Sequence, residues 1–208
     1  MSKKTLIFMT IFSLGLVAFS LYIIKTLDPG VKPKPTSEVM NVTSLDMKLD
    51  GTFKLKNTDG SDFTVANLEN KFTLLYFGFA HCPDICPETL LKIKKTIELM
   101  GEKEKKDAQF IFVSIDPNRD NMVDLENFVK QFGNSIKAIT GEKAELDKLT
   151  NSLKVYYGAQ ESKTGDDYYV DHSSFMYLLN PQAELISQFT PNAAAEDVAK
   201  QIMLKMNQ

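Results

Sequence analysis

The chain's only two cysteines, Cys82 and Cys86, lie four apart in Ala80-His81-Cys82-Pro83-Asp84-Ile85-Cys86-Pro87. Thiols at that spacing offer two chemistries, a reversible disulfide or joint binding of one soft metal ion. On a helix, residues i and i+4 share a face, with Cβ atoms about 5–6 Å apart. That suits a disulfide, which wants Cα atoms within about 6.8 Å, and equally an ion held by sulfur bonds of about 2.3 Å. Cys82 falls where an apolar strand gives way to a helix, so unpaired backbone N–H groups and the helix dipole favour its thiolate. Pro83 suits a first helical turn, and Pro87 is near enough to the start to be tolerated. Two inert buried thiols would be the plainer reading, but the position at a helix start argues against it.

Two thiolates leave a metal's coordination incomplete, and the chain holds just two histidines. His81 adjoins Cys82, and adjacent side chains seldom converge on one ion; it is expected to cap the loop or meet a substrate. His172, in Tyr168-Tyr169-Val170-Asp171-His172-Ser173, is expected at the start of a buried strand. There it is either a satisfied, partly buried histidine or the third member of a Cys82, Cys86, His172 ligand set, with Asp171 its outer partner or a surface acid. Thiolates select copper(I), zinc or iron–sulfur, and an added imidazole suits copper and zinc. A structural zinc site wants a fourth protein ligand, and none is evident. Spacing alone leaves thiol redox and a soft metal both open. Met176 would share a strand face with His172, but core packing explains it as well. Arg119, the sole arginine among 24 basic residues, is expected to clamp Asp116 or Asp120 and brace their loop, a task for a planar fork.

These side chains need a scaffold. Hydrophobic residues make up 43% and charged residues 25%, which fits a globular protein and excludes a disordered one. A net charge of −3 gives no case for a polyanion, so nucleic acid is not expected as a partner. Asp59-Gly60 marks a hairpin between strands in 51–57 and 61–65. Residues 72–79 and 109–115 read as buried strands, and 136–140 as a short one. Helices are expected over 83–100, around Leu125 to Phe132, around Leu146 to Leu153, and over 192–206. Residues 173–179 and 184–189 read as a final hairpin around Asn180-Pro181. Strands alternating with helices, closed by a hairpin, give a mixed α/β sheet flanked by helices. A strand running into a cysteine-bearing helix start makes that layout thioredoxin-like.

Residues 5–24 carry no charge; a helix of that length spans roughly 30 Å, the thickness of a bilayer core. A cleaved signal peptide is the rival, but its weak cleavage pattern, Ala18-Phe19-Ser20, lies inside the apolar run. The expected organisation is a cytoplasmic tail (1–4), a transmembrane anchor (5–24), a Pro-containing tether (25–44) and a thioredoxin-like domain (45–208). Basic residues on the two flanks draw, and long domains translocate largely regardless of charge. The domain is therefore expected outside the cytoplasm.

Taken together, these motifs resemble those of the Sco/SenC family of membrane-anchored, thioredoxin-like copper proteins. The resemblance rests on Leu75-Tyr76-Phe77-Gly78-Phe79, the segment from His81 to Pro87, Ser114-Ile115-Asp116-Pro117, Arg119-Asp120, Thr140-Gly141, Tyr156-Tyr157 and Tyr169-Val170-Asp171-His172. It implies copper as the bound ion and Cys82, Cys86 and His172 as its ligands. It further implies a metallochaperone helping to assemble the dinuclear copper centre in subunit II of cytochrome c oxidase. The implied place is the inner membrane, facing the periplasm or the mitochondrial intermembrane space. A thiol reductant would be a second partner, because the pair must be reduced to bind. The same dithiol could instead reduce the acceptor's cysteines. A peroxidase of the peroxiredoxin type is disfavoured, because Phe79 stands where that family places a threonine.

Overall fold

Seven consecutive residues of one buried strand, Phe72–Gly78 (β4), organise the sheet. Leu74, Leu75, Tyr76 and Phe77 are all essentially inaccessible, the pattern of a strand covered on both faces. The structure, a computed structural model, describes residues 15–20, 22, 39–40, 47, 49–160 and 168–208. The chain divides into units 1–36 and 37–208. Of the first, residues 15–20 and 22 are helical; the rest of the expected anchor lies outside the described residues. Among the described residues no helix is long and apolar enough to cross a membrane.

In the second unit, β1 (Val39–Met40), β2 (Leu55–Asn57), β3 (Asp62–Phe63), β4, β5 (Ala108–Ser114), β6 (Ile136–Thr140), β9 (Met176–Leu179) and β10 (Leu185–Phe189) form one mixed sheet. Its order is β1-β10-β9-β4-β5-β6-β2-β3. The centre is parallel, with β4 beside β5 and β5 beside β6, while β9 runs antiparallel to β4. This is the thioredoxin-like mixed sheet the alternation implied. The hairpin at Asp59-Gly60 forms as expected, with Gly60 at φ 84°, a turn geometry that costs glycine nothing. Val39–Met40 pair with Phe189 and Gln188, so the sheet takes up two residues of the stretch read as tether.

The helices are α1 (Ile85–Leu99), α2 (Glu102–Asp107), α3 (Met122–Lys130), α4 (Lys143–Ser152) and α5 (Ala195–Met206). α1 packs against α5, joined by a Lys95–Glu196 ion pair and by Thr96, whose hydroxyl donates to the Ala195 carbonyl. α3 lies against β6 and meets β5 through the Phe112–Phe128 ring pair. Gly101 does not simply end α1; it also serves as the N-cap of α2, a short helix that charge-rich 102–107 concealed.

The largest departures from expectation fall around His172. Residues 173–175 are outside any strand, and β9 begins at Met176. His172 is the last residue of β8 (Tyr169–His172), which pairs antiparallel with β7 (Tyr157–Gln160) in a separate two-stranded sheet. Met176 and His172 therefore lie on different strands. Short, isolated strands carry too little periodicity to announce themselves.

Candidate metal and redox centre

The site lies at the carboxyl ends of β4 and β5, where open α/β sheets place their ligands. Past β4 the chain turns, with the Cys82 N–H donating to the Phe79 carbonyl at 3.2 Å. Helix α1 then starts only at Ile85. Cys82 thus precedes the helix rather than sharing a helical face with Cys86. Pro83 is the cause, since a residue before proline is driven out of the helical region. The later start also puts Pro87 in the first turn, where its missing N–H is harmless.

The turn still brings the two sulfurs together, and a third donor with them. Cys82 Sγ, Cys86 Sγ and an imidazole nitrogen of His172 all lie within 4.8 Å of one another. Nε2 of His172 stands 3.7 Å from Cys86 Sγ, and Nδ1 lies 3.3 Å from the Ser173 carbonyl. Without a metal, an imidazole N–H aimed at the sulfurs can donate to the Cys82 thiolate; with the proton on Nδ1, donated to the Ser173 carbonyl, Nε2 is freed to bind an ion beside them. The His172 ring is held edge-on between Phe79, with centroids 5.9 Å apart, and Tyr76, at 6.4 Å.

The sulfurs differ sharply in acidity. Cys82 is lowered from an ordinary thiol value to about 4, chiefly by the hydrogen bond from the Cys86 thiol. His172 and the backbone N–H groups of Asp84 and Cys86 add to the effect, against the opposing pull of burial. Cys86 is pushed far up, first by that same bond, in which it is the donor, and then by burial. The resting pair is one thiolate and one thiol. Both are free, and both are buried, Cys82 at 4% and Cys86 at 0% exposed.

Two neighbours belong to the Leu75-to-Phe79 motif, but their roles at the sulfurs emerge only in the fold. Tyr76, fully buried, donates its hydroxyl to Cys86 Sγ at 3.5 Å; burial first, and then the neighbouring cysteine sulfurs, hold that phenol protonated. Gly78 makes room for the sulfur, since a Cβ there would stand 2.5 Å from Cys86 Sγ and 2.9 Å from the Phe112 ring. The signal for Tyr76 was present: a phenol inside an apolar strand needs a polar partner.

The other candidates surround the site without joining it. His81 is half exposed and lies 3.0 Å from Asp120 Oδ1 through Nδ1, away from the sulfurs. Asp171 is exposed. Arg119 clamps Asp116, with Nε donating to Oδ2 at 2.5 Å, as its loop suggested. Asp120, buried, accepts from the Ala80 N–H at 2.8 Å and the Ser114 hydroxyl at 2.7 Å. It therefore ties the loop after β5 to the loop bearing Cys82.

A thioredoxin-like domain with a dithiol and an imidazole at the ends of its central strands defines the class of thiol-redox and soft-metal proteins. Comparison with known proteins narrows it. The family model described as SCO1/SenC matches residues 42–207, and the chain belongs to that family. It is 35% identical over 158 residues to Protein SCO1 homolog 1, mitochondrial, of Arabidopsis thaliana, covering 76% of this chain and 47% of that protein. The chain thus spans about half the length of that relative. It is 31% identical over 189 residues to an SCO2-like protein of Rickettsia prowazekii, covering 90% of this chain and 91% of that one. The crystal structure of yeast Sco1 with copper bound superposes with a TM-score of 0.71 at 33% identity, covering 77% of this chain and 90% of that one.

Proposed function

We propose that this protein is a copper metallochaperone that carries one copper ion on Cys82, Cys86 and His172 and delivers it to an acceptor with similarly soft ligands. The observation that supports this most is the convergence of two sulfurs and one imidazole nitrogen within 4.8 Å. Bonds of about 2.3 Å to sulfur and about 2.0 Å to nitrogen fit inside such a triangle after small side-chain adjustments. Among the described residues no fourth Cys, His or acid joins the group, which suits copper(I) better than structural zinc. The acceptor we assign is subunit II of cytochrome c oxidase, with the domain held at the inner membrane by residues 5–24 and facing the periplasm or intermembrane space. Oxidation to a Cys82–Cys86 disulfide would remove two of the three ligands, so a thiol reductant is a required partner.

A second reading is favoured by the thiolate–thiol pair itself. Cys82 could attack an acceptor disulfide, forming a mixed disulfide and releasing one acceptor thiolate. Cys86 would then attack Cys82 Sγ, freeing the second acceptor thiol and leaving the Cys82–Cys86 disulfide. Copper titration of the reduced and oxidised protein, repeated with His172→Ala, separates the two. The metallochaperone requires one copper per reduced chain, none per oxidised chain, and weaker binding in the variant with dithiol exchange largely intact, since the bond from Cys86 is the main cause of the Cys82 thiolate. A reduced wild type that takes up no copper, while exchanging disulfides readily, establishes the second reading instead.

A further inference from the structure

We infer that Arg119 is a positioning residue for the His172 imidazole, reaching it from two sides, and so sets how firmly the third ligand is presented. This rests on the metal-binding reading above. His172 ends β8, and β8 belongs to a two-stranded sheet that is not hydrogen-bonded to the main one among the described residues. Its placement therefore rests on side chains together with the short link 173–175 into β9. The residue immediately before β8, Tyr168, is gripped three ways. Arg119 Nη1 donates to its carbonyl at 2.9 Å. The guanidinium lies over its ring, 3.9 Å from the centroid. Its hydroxyl donates to Asp116 Oδ1, the other oxygen of the carboxylate that Arg119 clamps.

The second route runs through Phe79. The same guanidinium stands 5.5 Å from the Phe79 ring centroid, and that ring backs the His172 imidazole edge-on. One planar cation thus touches both the strand that carries the ligand and the wall it leans on. A lysine could pair with Asp116, but it could not also donate to the Tyr168 carbonyl and stack on that ring. The clamp is anchored in the rigid part of the fold, since Asp116 follows the fully buried β5 and is itself 3% exposed. Asp120, from the same loop, holds the backbone at Ala80. One loop therefore registers both halves of the ligand set.

The test uses the reduced full chain with Arg119→Lys, Asp116→Asn, His172→Ala and the double variant Arg119→Lys/His172→Ala. Copper(I) affinity is measured by competition with a chromophoric chelator, and the apo protein by amide hydrogen exchange. Loss of an outer partner of a ligand typically costs about 10–100-fold in metal affinity. Arg119→Lys should weaken copper(I) by an amount in that range. In the double variant it should add nothing to the loss from His172→Ala, because both act through one imidazole. In the apo protein the β7–β8 amides should exchange faster in Arg119→Lys, while those of β4 and β5 and the rate of Cys82–Cys86 exchange stay unchanged. Should Arg119→Lys not fold, Asp116→Asn releases the same clamp and must give the same pattern. Wild-type affinity in the folded variant, or full additivity with His172→Ala, overturns the inference while leaving copper binding intact. A wild type that binds no copper defeats the parent reading, and the β7–β8 exchange rates still judge the clamp.

Discussion

Cys82 and Cys86 are the same residue type under opposite constraints, and that difference is measurable. In the reduced protein one thiolate should be present from pH 5 to 8. Its ultraviolet thiolate absorbance should disappear with a midpoint near 4, and Cys82→Ser should abolish the signal. The linked stability has a definite sign. A thiol whose folded pKa is depressed adds stability that is absent below about 4, grows as pH rises, and is complete only above the unfolded thiol value. The raised thiol of Cys86 works the other way, withdrawing stability once pH exceeds that ordinary value. The gap in thermal midpoint between wild type and Cys82→Ser should therefore widen from pH 4 to 8. A gap independent of pH would mean that Cys82 is not depressed. At this scale the sequence was candid about the ligand candidates, because cysteine and histidine are scarce and their chemistry is narrow. It was silent on the roles of Tyr76 and Gly78, which exist only once β4 lies against α1.

At the scale of elements, the buried strands were legible because burial on both faces writes a mostly apolar run, as in 72–78 and 108–114, where Thr73 and Gln109 are polar exceptions that bond to each other. The strands β7 and β8 were not, since four residues of mixed polarity look the same in a loop. The start of α1 was misplaced for a local reason: Pro83 fits a first turn, yet it also bars the residue before it from the helix. The junction of β4 and α1 carries the tightest packing at the site. Gly78→Ala would force a Cβ against Cys86 Sγ and the Phe112 ring. Overpacking of this kind costs about 1–3 kcal/mol, readable as a lowered denaturation midpoint. It should also weaken copper(I) binding, because the sulfur must move to make way. A variant with wild-type stability and affinity would show that the sulfur does not need that space.

For the molecule as a whole, an ion bound only by the folded, reduced state adds stability by mass action, about 2.7 kcal/mol at a free concentration one hundred times Kd. In a domain of this size each kcal/mol moves the midpoint by about 2–4 °C. Copper(I) should therefore raise the melting temperature of the reduced protein by roughly 5–10 °C and leave the oxidised protein unmoved; equal shifts in both would detach the effect from the thiols. Orientation is checked separately: a reporter at the carboxyl terminus should be active only if it works outside the cytoplasm. The opposite result would reverse the assigned topology. The depth of the sulfurs has a broader consequence. A group ionised at neutral pH would ordinarily fall to any passing peroxide or small disulfide, yet Cys82 is almost wholly covered. Acidity readies it while enclosure limits what can reach it, so under the proposed function a partner would have to open the way.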